Sequence, residues 1–254
     1  MPFADIAGRK AYYAERRPIP VEGPPVLFVH GAGGSHQHWL YQVRDLPRSP
    51  TIAVDLPGHG RSEGEGWDTI EAYGDWVVAL LDVLEVPRAV LVGHSMGGGI
   101  ALDVALRHPA RVAGIGLVAT GARLRVAPAI LGGILENKEA AVRLICDSAF
   151  GPEAPREMVR LGRRQMEEIP AEVLYGDFSA CDAFDVMGRL GEIAAPALVL
   201  CGTKDWLTPS KYSVYLRDNI ALTTLHLVEG AGHMVMVERP ASVVQALTQF
   251  VDGL

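Results

Sequence analysis

Short apolar runs that repeat along the chain are the feature that most constrains its fold. Each run is rich in Val, Leu and Ile and shows no alternation of polar and apolar positions. Strands that are buried on both faces have this composition, and they occur in parallel sheets covered by helices. The runs are Val26–His30, Thr51–Asp55, Ala89–Gly93, Ile115–Ala119 and Ala197–Cys201, and Leu222–Val228 is expected to add a further strand.

Helical patterns separate these runs. Apolar residues recur with a spacing close to 3.6 between Thr69 and Leu84, and residues 68–71, Asp-Thr-Ile-Glu, form a capping-box signature at the start. Residues 95–107 and 241–251 are predicted to form two more helices. Because strands and helices alternate, the chain is expected to fold as an α/β protein with a doubly wound, mostly parallel sheet.

The alternation stops between residues 121 and 192. This segment has no clear buried strand, and its amphipathic stretches 140–150 and 156–169 are separated by Pro and Gly. We therefore predict a helical cap over residues 121–192, inserted into a core formed by residues 1–120 and 193–254. Apolar cap residues can line a pocket or pack against each other, so none is assigned to binding; they are Ile130, Leu131, Ile134, Leu135, Phe150, Met158, Met166 and Phe184.

Charge and cysteine content narrow the choice of partner. The 254-residue chain has a formal net charge of −7 and no run of Lys or Arg, which argues against nucleic acid or an anionic membrane as partner. Its three cysteines form no C-x-x-C pair, so a reducing compartment is the simpler interpretation. No signal segment is visible, and the nearly apolar stretch 112–122 is too short to cross a bilayer. We expect a soluble cytoplasmic protein with a small-molecule substrate, and the oligomeric state stays open.

The pentapeptide Gly93-His94-Ser95-Met96-Gly97 fits the pattern G-x-S-x-G. It follows a predicted strand and opens a predicted helix, which is the context that a nucleophilic serine on a sharp turn requires. Small flanking residues relieve crowding at such a turn, and the following helix directs its N-terminal N–H groups towards the same point. Ser95 is therefore the candidate nucleophile.

A glycine-rich segment after the first buried strand is the candidate oxyanion loop. His30-Gly31-Ala32-Gly33-Gly34 lacks the Lys-Ser/Thr ending of a phosphate-binding loop. Where a serine occupies such a turn, one oxyanion donor comes from the residue after the nucleophile and another from this loop. We assign the donors to the backbone N–H groups of Met96 and Ala32.

The general base and its carboxylate partner are chosen by chain order, which is Ser, then Asp or Glu, then His. Of the eight histidines, His233 alone lies in a glycine-flanked loop between the last predicted strand and the last predicted helix. Asp205 follows the strand that ends at Cys201, whereas Thr120 and Gly121 occupy the alternative position for an acid. The prediction is a triad of Ser95, Asp205 and His233 that needs no metal or cofactor.

These motifs together resemble the α/β-hydrolase fold family, in its serine-hydrolase or carboxylesterase-like branch with a helical cap. The resemblance rests on His30-Gly31, residues 55–62 (Asp-Leu-Pro-Gly-His-Gly-Arg-Ser), residues 93–98, residues 202–209 and the loop 230–233. It implies that Asp55 supports neighbouring loops and does not react. Serine at position 95 argues against the dehalogenases and epoxide hydrolases, whose chemistry requires an aspartate nucleophile. Ala32, where cofactor-free haloperoxidases commonly have tryptophan, weakens a perhydrolase interpretation.

The expected reaction is hydrolysis of a carboxylic ester of a small to medium acyl substrate. A lactone, a thioester or a carbon–carbon bond of a ring-fission product stays open for the same triad, as does a slow-turnover sensor of a small ligand. A carbon–carbon hydrolase would need a polar pocket for a carboxylate. The cap offers Arg123, Arg125, Arg163 and Arg164, for which a solvated surface is the simpler expectation.

Overall fold

An eight-stranded sheet crosses the part of the molecule that the computed structural model describes, residues 3–19 and 21–254. The spatial order is β1-β2-β4-β3-β5-β6-β7-β8, and every pair from β4 onwards in that order is parallel. The strands are β1 (Phe3–Ile6), β2 (Arg9–Arg16), β3 (Val26–Val29), β4 (Thr51–Val54), β5 (Ala89–His94), β6 (Val112–Val118), β7 (Ala197–Gly202) and β8 (Thr223–Val228). All six predicted strands are present within a few residues.

The N-terminal hairpin β1–β2 was not predicted. β2 pairs antiparallel with both β1 and β4, so β1 is the outermost strand and the hairpin forms a partly exposed, antiparallel edge of the sheet. The turn between the two strands places Ala7 and Gly8 at positive φ. An edge strand lacks the continuous apolar run that marks a strand buried on both faces, so its pattern was not recognised.

Helices cover both faces of the sheet, which confirms the doubly wound α/β architecture. α2 (Ile70–Val83), α3 (Met96–Arg107) and α8 (Ser210–Asn219) pack on one face, while α1 (Leu40–Asp45) and α10 (Pro240–Asp252) pack on the other. The short helix α9 (Val235–Glu238) precedes α10. The capping box is wrong, because Thr69 caps α2 without any side-chain hydrogen bond.

Four helices form the cap between β6 and β7: α4 (Pro128–Glu136), α5 (Lys138–Ala149), α6 (Arg156–Glu168) and α7 (Ala171–Ala183). They enclose an apolar cluster of their own that includes Ile134, Val142 and Leu174. The predicted helical insertion is thus confirmed as part of the fold. None of the described residues belongs to a helix that is long and apolar enough to cross a membrane.

Candidate active site

Ser95 lies on the turn between β5 and α3 with φ of 52° and ψ of −115°. This left-handed backbone is uncommon for a residue with a side chain and lifts the hydroxyl out of the sheet. A Cβ at Gly93 would collide with the carbonyl of Gly97, and one at Gly97 would collide with the carbonyl of Val29. The two glycines of the motif are therefore required by close packing of the backbone around the turn.

Two hydrogen bonds from the neighbouring strand brace this strained residue. The Ser95 N–H donates to the Val118 carbonyl over 2.9 Å, and the Thr120 hydroxyl donates to the Ser95 carbonyl over 2.7 Å. Thr120 is buried. Sequence reasoning considered Thr120 only because it is not an acid, and it missed this contact.

His233 and Asp205 form a buried pair. The ring Nδ1 of His233 lies 2.9 Å from Oδ2 of Asp205. The other carboxylate oxygen, Oδ1, accepts from the N–H groups of Leu207 and Thr208 over 2.9 and 2.8 Å. The Thr208 hydroxyl donates to Oδ2 over 2.7 Å and lies 3.1 Å from Nδ1 of His233. The loop after β7 thus fixes the carboxylate, and the carboxylate orients the imidazole.

The electrostatic environment keeps Asp205 ionised. Burial alone would raise the pKa of this carboxyl group, but the adjacent His233 and the Thr208 donors outweigh it and hold the pKa below its ordinary value. An ionised Asp205 can stabilise a positive charge on the imidazole of His233. This is the electrostatic role that the carboxylate plays in a serine-nucleophile triad.

Ser95 and His233 line the same cavity together with Ala32. Within residues 3–19 and 21–254, no hydrogen bond joins the Ser95 hydroxyl to the His233 ring. Such contacts are often loose before substrate binds and tighten in the reacting complex. The structure thus places Ser95 and His233 at one cavity, and it hydrogen-bonds His233 to Asp205, which is not among the residues that line the cavity.

Of the two predicted oxyanion donors, Ala32 lines the same cavity, and Met96 directly follows Ser95 in the chain. Met96 is the first residue of α3, and the N–H groups of Met96 and Ala32 have no acceptor among the described residues. The loop around Ala32 is fixed on both sides. The Gly34 N–H donates to the Gly31 carbonyl over 3.0 Å, and the Gly33 N–H donates to Asp177 Oδ2 over 2.8 Å.

Buried histidines support the site without joining the pair. His30 donates from Nδ1 to the Gly31 carbonyl and accepts the Leu56 N–H at Nε2. His94 donates from Nε2 to the His233 carbonyl over 3.1 Å, and its ring centre lies 4.6 Å from that of His233. Burial lowers the pKa of His30 to about 3 and holds that of His94 well below its usual value. Both are therefore neutral hydrogen-bonding residues.

Asp55 supports loops, in agreement with its expected role. Its Oδ1 accepts from the N–H of His36 over 2.6 Å and from the His36 ring over 2.8 Å. Its Oδ2 accepts from the Arg61 N–H over 2.9 Å. Asp55 is absent from the lining of the cavity that holds Ser95.

A buried carboxylate on the cap joins it to the oxyanion loop. Asp177 of α7 is fully buried and accepts three hydrogen bonds. The donors are the Gly33 N–H, the His59 ring over 2.8 Å and the Tyr73 hydroxyl over 2.6 Å. The sequence could not reveal this contact, because 144 residues separate Asp177 from Gly33.

A second buried carboxylate belongs to the core and accepts a hydrogen bond from the cap. Glu238 of α9 accepts the N–H of Gly151 in the cap over 3.0 Å and the N–H of Gly232 over 3.1 Å. Gly232 directly precedes His233. The loop that carries Ala32 and the loop that carries His233 are thus each bound to a carboxylate that links the cap and the core.

The cavity above Ser95 has a volume of about 270 Å³ and mainly apolar walls. Of the apolar cap residues singled out by the sequence, Ile130, Phe150 and Met166 line this cavity. Ile134 and Phe184 pack in apolar cores, and Leu135 is exposed. Arg125 and Trp206 border it, and Trp206 is 76% exposed. The cap side chains among its walls include Ile130, Ile145, Phe150, Met166 and Phe178.

The remaining cap arginines lie in ion pairs. Arg163 and Arg164 pair with Glu167 and Glu168 one turn further along α6. Arg123 lies 3.6 Å from Asp185 and, like Arg163 and Arg164, is at least partly exposed. Among the described residues, no group of three or more His, Cys, Asp or Glu side chains is arranged to hold a metal ion.

The sheet order, the helical cap and the serine turn together define a hydrolase architecture. Residues 26–246 match the family described as the alpha/beta hydrolase family. The chain belongs to this family, which confirms the resemblance drawn from the motifs.

Known proteins of this fold align with almost the whole chain. A solved structure of a thermophilic esterase is 34% identical, with a TM-score of 0.88 over 99% of this chain and 96% of the other. Est816, described as an N-acyl homoserine lactone degrading enzyme, is 30% identical, with a TM-score of 0.87 over 98% of this chain and 100% of the other.

A curated relative is longer than this chain. The dihydrolipoyllysine-residue acetyltransferase component of an acetoin cleaving system from Pseudomonas putida is 33% identical over 90% of this chain. The alignment spans 64% of that relative's length.

Proposed function

We propose that the protein is a serine hydrolase that cleaves a carboxylic ester of a small to medium acyl substrate through an acyl-enzyme intermediate. Ser95 is the nucleophile, His233 the general base and Asp205 its orienting acid, with the N–H groups of Ala32 and Met96 as the oxyanion hole. The observation that carries the proposal is the strained serine at a cavity shared with the buried His233–Asp205 pair.

In the first half of the reaction, His233 takes the proton of the Ser95 hydroxyl as the oxygen attacks the ester carbonyl. The carbonyl oxygen gains negative charge and accepts hydrogen bonds from the Ala32 and Met96 N–H groups. Each such donor typically stabilises the transition state by about 3 kcal/mol. The protonated His233 then transfers its proton to the leaving alcohol, and the acyl group remains on Ser95.

In the second half, His233 takes a proton from a water molecule that attacks the acyl-enzyme. A second oxyanion forms at the same two N–H groups. It collapses as the protonated His233 returns its proton to the Ser95 oxygen, which releases the acid and regenerates the Ser95 hydroxyl. Asp205 keeps Nδ1 of His233 protonated, so that Nε2 is the nitrogen that exchanges protons. No step requires a metal or cofactor.

The names of the similar proteins support acyl chemistry. Esterases and lactone-degrading enzymes transfer an acyl group to water, and an acetyltransferase passes it to another acceptor. A lactone is the second candidate substrate, because the 30% identical lactone-degrading enzyme aligns over its whole length. A lactone is a cyclic ester, so the same residues perform the same steps.

The proposal assigns different roles to the core and the cap. Residues 1–120 and 193–254 form the catalytic core, and residues 121–192 form the cap that lines the substrate cavity. Cys146, Cys181 and Cys201 are free thiols, which suits a reducing compartment, and we place the protein in the cytoplasm.

The decisive experiment is a chain-length series of p-nitrophenyl esters, run beside lactone, thioester and ring-fission-product panels. Ser95→Ala should retain the fold by circular dichroism and lose nearly all turnover. A fluorophosphonate should form one adduct, located at Ser95 by mass spectrometry. Wild-type kcat in Ser95→Ala would reject the mechanism. A single burst without further turnover would favour the sensor, and activity confined to ring-fission products would favour carbon–carbon hydrolysis.

A further inference from the structure

A second cavity adjoins the one above Ser95. The two share Arg125 and Tyr212 as lining residues. The second cavity has a volume of about 370 Å³ and lies between the first residues of the cap and helix α8. Its remaining walls are Ala122, Arg123, Met187, Lys211 and Tyr215.

Three of its lining residues are cationic, namely Arg123, Arg125 and Lys211, whereas the cavity above Ser95 has Arg125 alone of these three. Two carboxylates lie nearby. Arg123 Nε is 3.6 Å from Asp185 Oδ2, and Arg125 Nη1 is 3.9 Å from Asp182 Oδ1. Neither distance is that of a close hydrogen-bonded ion pair. Arg125 Nη1 donates to the Asp182 carbonyl over 3.0 Å, and each guanidinium group keeps further N–H donors for another acceptor.

The two carboxylates are also engaged by the backbone. Asp182 Oδ1 accepts the Val126 N–H over 3.0 Å, and Asp185 Oδ1 accepts the Met187 N–H over 3.1 Å. These bonds fix the carboxylates in local turns. They do not neutralise either arginine by a bidentate contact.

Lys211 supplies the third positive charge. Among the described residues it has no carboxylate within 4.0 Å, and its amine lies 5.7 Å from the centre of the Tyr212 ring. Three cations and two carboxylates leave the cavity with a net charge of +1, on a chain whose net charge is −7. The positive charge is therefore local to this cavity.

We propose that the second cavity is a subsite for an anionic group, a carboxylate or a phosphate, at one end of the ester substrate. Arg125 stands at the junction and can present its planar guanidinium to an oxyanion, and Lys211 adds a point charge. The substrate class is then an ester with an apolar part beside Ser95 and an anion beyond Arg125. This inference rests on the proposed ester hydrolysis at Ser95.

The test compares matched esters by acid release in a pH-stat. Monomethyl esters of dicarboxylic acids carry the anion on the acyl side, and methyl esters of monocarboxylic acids of the same length are the neutral partners. Butyryl esters of a hydroxycarboxylate and of a hydroxyalkyl phosphate carry it on the alcohol side, with propyl butyrate as the neutral partner. At least one anionic series should exceed its neutral partner about tenfold in kcat/KM, through a lower KM.

Variants then locate the effect. Because one exposed charge contributes modestly, Lys211→Gln should lower the anionic-to-neutral ratio of kcat/KM about threefold, and the Arg123→Gln/Lys211→Gln double variant about tenfold. Added 0.5 M NaCl should lower the ratio in the wild type. The matched control is Arg143→Gln, which removes a positive charge from the cap at an exposed ion pair with Glu139 and should leave both rates unchanged.

Several outcomes would overturn the subsite: no anionic preference in the wild type, an unchanged ratio in the double variant, or an equal loss in Arg143→Gln. Calorimetry on Ser95→Ala with monomethyl glutarate and methyl valerate separates this question from catalysis. Preferential binding of the anion without turnover of any ester would retain the subsite and reject the proposed reaction. Turnover of neutral esters without anionic preference would support the proposed reaction and reject the subsite.

Discussion

At the residue scale, Ser95 has an unfavourable backbone conformation that two hydrogen bonds hold in place. A left-handed backbone at a residue with a side chain costs of the order of 1–3 kcal/mol. The Val118 carbonyl and the Thr120 hydroxyl hold Ser95 in this conformation, and both belong to the end of β6 or the residues just after it. Thr120 is therefore a positioning residue, because it acts on the proposed nucleophile through the Ser95 carbonyl.

Thr120→Val should lower kcat about tenfold with little change in KM. The substitution keeps the shape of the side chain but removes the hydroxyl that holds Ser95, so the nucleophile loses orientation while the cavity is unchanged. The free energy of unfolding should fall by about 1 kcal/mol. Steady-state kinetics on p-nitrophenyl acetate and urea denaturation measure the two effects.

The matched control is Thr51→Val. Thr51 is also buried, and its hydroxyl donates to the Val43 carbonyl over 3.0 Å, away from the site. This variant should lose similar stability and keep the wild-type kcat. Equal kcat values in the two variants would show that Thr120 is merely structural.

Asp205→Asn should lower kcat about 10³- to 10⁴-fold, because an amide does not stabilise the charged imidazole and favours the wrong tautomer of His233. Circular dichroism should show a retained fold, and the fluorophosphonate should label Ser95 far more slowly. A kcat within tenfold of the wild type would remove Asp205 from the proposed triad.

The sequence predicts Ser95, Asp205 and His233 as a triad because each follows the end of a predicted strand, where polar side chains of a parallel sheet converge. It could not reveal Thr208 as a partner of both Asp205 and His233, or Thr120 as a partner of Ser95. Those contacts depend on how separate loops pack, and no short-range pattern encodes that packing.

At the element scale, the cap is joined to the core beside the reactive loops. Asp177 of α7 reaches the oxyanion loop at Gly33, and Glu238 of α9 reaches Gly151 and Gly232. Placement of the cap and geometry of these loops are thereby coupled. The cap helices can be predicted from amphipathic spacing in the sequence. The sequence does not distinguish a buried carboxylate such as Asp177 from an exposed polar residue of the same helix.

The Asp177–His59 pair should make the attachment of the cap sensitive to alkaline pH. Burial lowers the pKa of His59, but Asp177 outweighs burial and raises it above its usual value. A raised folded-state pKa gives stabilisation that is complete below the unfolded value of about 6.5 and is lost as pH rises through the folded value. Hydrogen exchange of the amides of α7 should therefore accelerate in that range, beyond the intrinsic effect of pH.

Asp177→Asn should remove this extra pH dependence and lower the free energy of unfolding by about 3 kcal/mol, since it leaves His59 buried without a counter-charge. Glu172→Gln, an exposed change in the first turn of the same helix, should leave the exchange profile as in the wild type. Identical pH profiles of α7 hydrogen exchange for the wild type and Asp177→Asn would show that the Asp177–His59 pair does not cause the pH dependence.

At the scale of the whole molecule, neutral histidines in the interior dominate the response to acid. His30 and His94 are buried with strongly lowered pKa values, and that of His38 is lowered to about 4 by burial. Below pH 6.5 the unfolded chain binds protons at these positions while the folded chain does not. Stability is therefore lost as pH falls from about 6.5 towards their folded-state values. His59 adds almost no slope in this range, because its stabilisation is already complete below about 6.5.

The free energy of unfolding should fall by about 1.4 kcal/mol per pH unit for each net proton taken up on unfolding. We expect a slope equivalent to about two to three protons between pH 6 and pH 5, from His30, His38 and His94, measured by urea denaturation. His94→Gln should reduce the slope by one proton even if absolute stability also falls, because the slope counts protons. His226→Gln, at an exposed position on β8, serves as the control, and equal slopes for the two variants would refute this account.

The global architecture was predictable because buried parallel strands have an unmistakable composition. The five buried strands β3 to β7 are predicted by their Val, Leu and Ile content and the partly exposed β8 by its position, whereas β1 and β2 at the antiparallel edge are not predicted. The cap could be recognised only as an interruption of the pattern. How it meets the core depends on long-range contacts, and substrate selectivity depends on those contacts as well.

Trp206 at the rim of the cavity gives the protein a built-in optical reporter. Its indole is largely in solvent, directly after Asp205, whereas Trp39 is buried against Phe28 on the opposite face of the sheet. Of the four tryptophans, Trp206 lines this cavity, whereas Trp39, Trp67 and Trp76 do not. Arrival of a ligand over Ser95 would therefore change the polarity around the Trp206 indole. Binding kinetics could then be followed by stopped-flow fluorescence on the unlabelled Ser95→Ala protein, with Trp206→Phe as the silent reference.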